Sequence, residues 1–339
     1  MSLRDFIEEW NGSDTCVRVH TSGSTGKPKE LLVEKTRMLA SARITCDFLG
    51  LKSGDTALLC MPLDFIAGKM MVVRCIERSL NLVEVKPSNH PLRDFLASGT
   101  HSSVKTIDFA AMVPSQVFGS LEDPDECALL KQIRHLIIGG GFIPLEMEKT
   151  LRSFPNAVWS TYGMTETLSH IALRRISGEG ASLWYTPFQG VGISIADSEP
   201  QNPNVGQLVI SAPHVCWDTL VTNDIVEIDH SDSRKRFRII GRKDNVICSG
   251  GIKLHIEEIE DRLRPYIRQP FCVTKRPDSK FGEVAILLVE GSTESYSEVC
   301  ADILPPYSRP KAILTVDRIP MTDTGKINRA LAAEIAEKS

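Results

Sequence analysis

KTRMLASARITCDFLGLKSGDTALLCM, Lys35 to Met61, decides how the chain is to be read. Its first half carries apolar residues at helical spacing, SGD makes a turn, and TALLCM (Thr56 to Met61) is a short apolar strand. The alternation continues through VVRCIERSL (helix), NLVEVK (strand), HPLRDFL (helix), TIDFAAMV and IRHLIIGGG (strands), PLEMEKTLRSF (helix) and NAVWSTYG (strand). Apolar strands alternating with helices predict an α/β domain with a mostly parallel sheet.

From about Phe188 the texture changes to short, turn-rich segments, VGISIAD, GQLVISA and FRIIGRKD, which predict a small antiparallel or barrel-like extension. After GRKDNVICSGGIKLHIEEIE (Gly241 to Glu260) the chain supplies a compact α+β set: EEIEDRLRPYI as a helix, PFCVTKRP and EVAILLVEG as strands, SYSEVCADIL and KINRALAAEIAEK as helices. The predicted division is an α/β domain over 1–242, its barrel-like part at about 188–242, and a small mobile α+β domain over 243–339.

With 339 residues, the chain exceeds what one core usually supports, in keeping with two domains. A formal charge of −4 gives no basic footprint for nucleic acid, and no apolar run approaches the roughly 18 residues that span a bilayer. The nine cysteines are scattered without a CxxC pair, which favours reduced thiols over a disulfide framework or a zinc site. MSLRDFIEEWNGSD lacks the pattern of a signal peptide, so a cytoplasmic location is expected.

Chemistry concentrates in four stretches. TSGSTGKPK (Thr21 to Lys29) has the hydroxyls, glycines and lysines of an anion-binding loop. It is not a P-loop: only two residues separate Gly23 from Gly26, and Pro28 follows Lys27 where a magnesium-binding hydroxyl is required. In STYGMTET (Ser160 to Thr167), Tyr162 and Gly163 offer an aromatic face beside open backbone for a purine, and Glu166 an oxygen ligand for Mg²⁺. TNDIVEID and GRKD place Asp224 and Arg242 as partners for ribose hydroxyls. MTDTGKINR (Met321 to Arg329) sets Lys326 on a Gly-supported turn before the last helix. Taken alone, the Gly-rich stretch reads as readily as a surface turn, and the other three more readily as a turn or a solvated charge.

Together, in this order, they resemble the adenylate-forming superfamily of acyl-CoA synthetases, luciferases and nonribosomal peptide adenylation domains, from about Val17 to Arg329. The resemblance implies a phosphate loop of Thr21, Ser22, Gly23, Ser24, Thr25, Gly26 and Lys27. It implies adenine-binding segments with Gly139, Gly140, Gly141, Tyr162, Gly163 and Met164, and ribose contacts from Asp224 and Arg242. Lys326, Glu166 and Thr165 form the implied catalytic set, with Glu166 as the metal ligand. Its two half-reactions are acyl-adenylate formation from a carboxylate and ATP, then displacement of AMP by a thiol, with ATP, Mg²⁺ and coenzyme A as cofactors and co-substrates. Between them the C-terminal domain turns on a hinge that maps to Asp244, bringing Gly250, Gly251 and Lys253 of CSGGIK to the thiol. Asn245 stands where relatives commonly carry a second Asp.

Only twenty residues precede Thr21, so a short form with a truncated N-terminal subdomain is expected. Short chains of this kind resemble the o-succinylbenzoate:CoA ligases of menaquinone biosynthesis. In MPLDFIAGKMMVVR, Gly68 precedes Arg74, which matches a helix arginine of those ligases that meets the ring carboxylate of the acid; Lys69 adds a second cation. A guanidinium fork suits a carboxylate. Phe65 and Ala67 replace the usual His and Ser, leaving open another aromatic or medium-chain acid, or delivery to a carrier protein. A non-catalytic ATP-binding relative is the alternative of another class. The expected partners are a small carboxylic acid, ATP and CoA, with a homo-oligomer left open.

Overall fold

The computed structural model describes residues 1–20, 30–98, 104, 106–141, 143–199, 202–231, 234–291, 296–321 and 327–339. Contacts divide the chain into two compact units: 1–193 with 210–220 and 229–237, and 194–209 with 221–228 and 238–339. The second unit thus begins earlier in sequence than the expected boundary at Arg242 to Asp244, and it takes in most of the barrel-like segment.

The first unit opens with α1 (Leu3–Asn11), β1 (Cys16–His20) and β2 (Glu30–Glu34). An alternating series follows: α2 (Lys35–Leu49), β3 (Thr56–Leu59), α3 (Ile66–Arg78), β4 (Asn81–Glu84), α4 (Pro91–Ala97) and β5 (Phe109–Met112). It continues with α5 (Pro114–Glu122), α6 (Pro124–Leu130), β6 (His135–Ile138), α7 (Leu145–Arg152), β7 (Ala157–Gly163), β8 (His170–Arg175) and β9 (Thr186–Pro187). The main sheet has the order β4-β3-β5-β6-β7-β8-β9; β4 to β7 are parallel, and β8 and β9 add an antiparallel edge. The mostly parallel sheet is as expected, whereas β8, α5 and α6 were not legible.

The inner strands β3, β5 and β6 are largely apolar because both faces are covered. Leu58, Ala110, Leu136, Ile138 and Val158 pack with Leu92 and Phe95 of α4, Val117 of α5 and Met147 and Leu151 of α7. The alternate residues Ala57, Leu59, Phe109 and Ile137 are buried too. Truncating a filled position such as Leu136 to Ala costs about 2–5 kcal/mol. Helix α2 stops at Gly50, whose φ of 64° supports a closing pair of bonds, Leu51 N–H to the Cys46 carbonyl (2.9 Å) and Gly50 N–H to that of Asp47 (3.2 Å).

Most residues of β10 (Gly192–Ala196), β11 (Val205–Ser211), β12 (Leu220–Asp229) and β13 (Arg236–Arg242), a four-stranded sheet in that order, belong to the second unit. Beyond them lie β14 (Val246–Ser249), β15 (Ile252–His255), α8 (Ile256–Leu263), β16 (Phe271–Asp278), β17 (Gly282–Glu290), α9 (Tyr296–Ile303), β18 (Ala312–Val316) and α10 (Arg329–Lys338). Strand β17 shows a period of two. Ala285, Leu287 and Val289 pack with Ile259 and Leu263 of α8, while Val284, Ile286 and Leu288 pack with Ala332 and Ala336 of α10. The α+β set expected after Gly241 is all present.

Candidate active site

In the first unit, β4 lies on one side of β3 and β5 on the other, so the strand order reverses there. Open α/β sheets place ligands outside the carboxyl ends of their strands at such a point. That edge carries three of the stretches singled out above: MPLDFIAG after β3, Gly139 to Gly141 after β6, and GMTET at the end of β7. Glycine is obligatory at two of these positions. A Cβ on Gly139 would lie 2.3 Å from Thr161 Oγ1, and one on Gly163 would lie 2.3 Å from the Ser169 carbonyl oxygen.

Tyr162, the next-to-last residue of β7, is only 7% exposed, because Tyr185 and Phe237 pack edge-on against it at centroid distances of 5.9 and 5.1 Å. The open aromatic face expected from the sequence is therefore largely covered. Beyond it, Thr165 to Thr167 form one 3₁₀ turn with Glu166 exposed. Leu168 then adopts φ 65°, ψ −37°, and Ser169 N–H reaches back to the Thr167 carbonyl at 2.7 Å. Such backbone costs about 1–3 kcal/mol and persists where the surroundings enforce it. Here the single Thr167 hydroxyl proton is shared between the Met164 and Ser169 carbonyls, at 3.0 and 2.8 Å.

This strained turn presents Ser169 to Arg74. The guanidinium, 2% exposed on α3, donates to Ser169 Oγ at 2.7 Å, and its Nε has no partner. Among the described residues no carboxylate pairs with it. Burial pushes its pKa down to about 10, so it remains a cation at neutral pH. The neighbouring hydrogen bonds follow from one another. Thr45 Oγ1 donates to the Ser41 carbonyl (3.1 Å) and so accepts from His170 Nε2 (3.0 Å); His170 Nδ1 is then the acceptor facing the Ser169 hydroxyl (3.3 Å). Burial, then the Arg74 charge, holds His170 well below its ordinary value, and it is neutral. Arg74 thus sits beside polar groups that carry no negative charge.

Two expectations on the same helix are corrected. The Lys69 ammonium donates to the Arg18 carbonyl, lies 3.9 Å from Glu9 and 5.5 Å from the Phe6 ring. It fastens α1 and β1 rather than facing an acid. Gly68 is required because a Cβ there would come within 2.3 Å of the Pro62 carbonyl oxygen, which is helix packing and not ligand approach.

Thr21 to Lys29 and Lys326 lie outside the described residues, but their flanks are placed. His20 and Glu30 pair in an antiparallel hairpin, so a strand follows the Gly-rich stretch where a P-loop needs a helix. Met321 and Ile327 form an antiparallel bridge around the segment holding Lys326. In the second unit Arg242 donates to Asp224 at 3.0 Å, bringing together the expected ribose pair, and reaches Asp244 at 3.4 Å. Gly250 and Gly251, at φ 57° and 84°, are the two-residue turn of the β14–β15 hairpin, where both central residues need positive φ. Lys253 lines an open, polar cleft of about 290 Å³ with Glu199, Glu227, Arg238, His255 and Glu258.

The AMP-binding enzyme family matches residues 4–216. The chain belongs to that family. Among curated relatives, 2-succinylbenzoate–CoA ligase from Lactococcus lactis is 26% identical over 96% of this chain and 71% of its own, and that from Listeria monocytogenes 24% over 96% and 71%. Among solved structures, an acyl-CoA synthetase (AMP-forming)/AMP-acid ligase II-like protein from Dyadobacter fermentans is 32% identical, covering 96% of this chain and 91% of that one, with a TM-score of 0.64. The o-succinylbenzoate coenzyme A synthetase of Bacillus subtilis, in complex with ATP and magnesium ion, shares the fold at a TM-score of 0.73 and 23% identity, covering 92% and 68%.

The AMP-binding fold implies a divalent metal, and the residues present fit one. The Glu166 carboxylate is exposed on its turn and has no partner among the described residues, where no cluster of three or more acidic, His or Cys ligands occurs. One protein carboxylate completed by phosphate oxygens and water is how Mg²⁺ is commonly held. Motif reasoning missed Ser169, His170 and Thr45; a Ser-His pair just past STYGMTET was the available signal. Among the described residues no helix is long and apolar enough to cross a membrane.

Proposed function

We propose that the chain is an AMP-forming acid:CoA ligase whose acid is o-succinylbenzoate, made into its CoA thioester for menaquinone biosynthesis. The observation that carries the choice of acid is Arg74: a buried cation that no carboxylate pairs with among the described residues, hydrogen-bonded to Ser169 just past the STYGMTET stretch. A buried charge without a partner is costly, and an aromatic acid with a second carboxylate supplies one. Several relatives are 2-succinylbenzoate–CoA ligases, named for the same acid.

In the first step the succinyl carboxylate oxygen attacks the α-phosphorus of ATP, and pyrophosphate leaves. Thr21 to Lys27 hold the departing phosphates, Lys326 neutralises charge growing on the α-phosphate, and Gly139 to Gly141 with Tyr162 to Met164 seat the adenine. Asp224 and Arg242 take the ribose hydroxyls. Glu166, with Thr165 beside it, would hold Mg²⁺, which when bound would supply charge neutralisation on the phosphates. In the second step the CoA sulfur attacks the acyl carbon, the thiol proton is lost and AMP leaves. The part of the chain beyond Asp244 turns between the steps, with Gly250, Gly251 and Lys253 then serving the thiol.

Incubation with ATP, Mg²⁺, o-succinylbenzoate and CoA tests this. Equal yields of AMP, pyrophosphate and thioester are expected. ATP binding without acid-dependent pyrophosphate exchange for any acid would make the chain a non-catalytic relative, and transfer only to a carrier protein would remove CoA from the reaction.

A further inference from the structure

Helix α8 carries two carboxylates one turn apart, Glu260 buried and Glu257 half-buried with its Oε2 out of solvent. Each holds a different functional stretch. Glu257 Oε1 accepts from Asn245 Nδ2 at 2.5 Å, at the residue that follows the expected hinge Asp244. Its Oε2 fills the space where Gly241 has no side chain; a Cβ there would lie 2.6 Å away. Glu260 forms a bidentate pair with Arg329, at 2.6 and 2.8 Å, and also accepts the Val273 N–H at 2.8 Å.

Arg329 ends the MTDTGKINR stretch. The base of that segment is tied by the Met321–Ile327 bridge and by Asn328 N–H to the Pro320 carbonyl at 2.8 Å. The Asn328 side chain also caps α10 by accepting from Leu331 N–H at 3.1 Å. Two side-chain contacts on one helix, Asn245–Glu257 and Arg329–Glu260, therefore join the hinge turn through the α8 backbone to the C-terminal end of the segment holding Lys326, whose two ends the Met321–Ile327 bridge ties together. A buried ion pair is weak support for stability compared with apolar packing, but a planar fork fixes geometry. The amide at 245 fits the same purpose: a carboxylate there would meet Glu257, which already feels the Glu260 charge as well as that of Arg329.

We propose that α8 is a mechanical link: Asn245–Glu257 and Arg329–Glu260 fix the base of the Lys326 segment to the Asp244 turn, making Glu257 and Glu260 positioning residues for adenylation. The proposal rests on the ligase reading and on Lys326 as its lysine. Two variants test it in the full chain, Asn245→Ala and Glu260→Gln, the second keeping an acceptor for Val273. The first readout needs no activity. Asn245→Ala is expected to speed amide hydrogen exchange at Ile327 and Asn328 by on the order of tenfold, well beyond any change at the β17 core amides such as Leu287.

The second readout is acid-dependent pyrophosphate exchange. Each variant is expected to lower kcat on the order of tenfold with KM for ATP and acid held within about twofold. The double variant should fall no further than the worse single one, since both break one link. Unchanged hydrogen exchange at Ile327 and Asn328, or rate losses that multiply, overturns the link. Faster hydrogen exchange in a protein whose wild type shows no pyrophosphate exchange keeps the link and removes the ligase reading. If Glu260→Gln does not fold, Asn245→Ala carries the hydrogen-exchange test alone.

Discussion

Lys69 and Arg74 stand five residues apart on α3, both 2% exposed, and the protein treats them in opposite ways. Around Lys69 the chain supplies a carboxylate, a carbonyl and an aromatic ring, from Glu9, Arg18 and Phe6. Around Arg74 it supplies the Ser169 hydroxyl and the Phe109 ring at 6.0 Å, and leaves Nε unmatched. The first cation is answered by its own chain and is structural. The second is answered only in part, and an interior that neutralises one buried charge but not its neighbour marks where a ligand's charge belongs.

The largest effect that separates them is expected from Arg74→Met. Removing the guanidinium should cut kcat/KM for o-succinylbenzoate by roughly 10²–10³-fold, the worth of a desolvated, hydrogen-bonded charge pair. The thermal midpoint should hold or rise, since an unpaired buried charge has gone. A fall in stability with unchanged kinetics would break the comparison. Lys69→Met should do the reverse: about 1–2 kcal/mol of stability lost as Glu9 and the Arg18 carbonyl lose their partner, with kcat/KM within about twofold of wild type.

Ser169→Ala leaves Arg74 in place without the hydroxyl that orients it. An increase in KM for the acid of about three- to tenfold is expected, with kcat little changed. The smallest effect concerns His170, whose pKa is depressed by burial and by Arg74. The unfolded chain takes up a proton below the ordinary 6.5 that the folded chain refuses, so this stability is present above that pH and is lost as pH falls. The thermal midpoint should therefore decline on acidification, and His170→Gln should shallow the decline. Some slope must remain, because His135, pushed down to about 4, also by burial, acts in the same direction.

Local pattern made much of this legible. The apolar strands from Thr56 to Gly163 and the helices between them announced the parallel sheet, and Asp224 and Arg242, each assigned to the ribose from its own stretch, hydrogen-bond to each other eighteen residues apart. What stayed hidden depends on partners distant in sequence. Nothing in MPLDFIAGKMMVVR distinguishes Lys69 from Arg74, because Glu9 and Ser169 are far along the chain in opposite directions. The Leu168 turn was hidden for a similar reason: positive φ at a leucine is imposed by its surroundings, notably the Thr167 hydroxyl bonds, against its own preference. Gly68 shows the converse error, a glycine credited to a ligand when backbone packing against Pro62 requires it.

The central claim is that Arg74 reads a second carboxylate on the acid. The direct measurement is pyrophosphate exchange with o-succinylbenzoate and with the same keto acid lacking the ring carboxylate, in wild type and in Arg74→Met. Wild type should prefer the diacid by about 10²-fold or more and Arg74→Met should lose that preference. A preference that survives the substitution unchanged would contradict the claim.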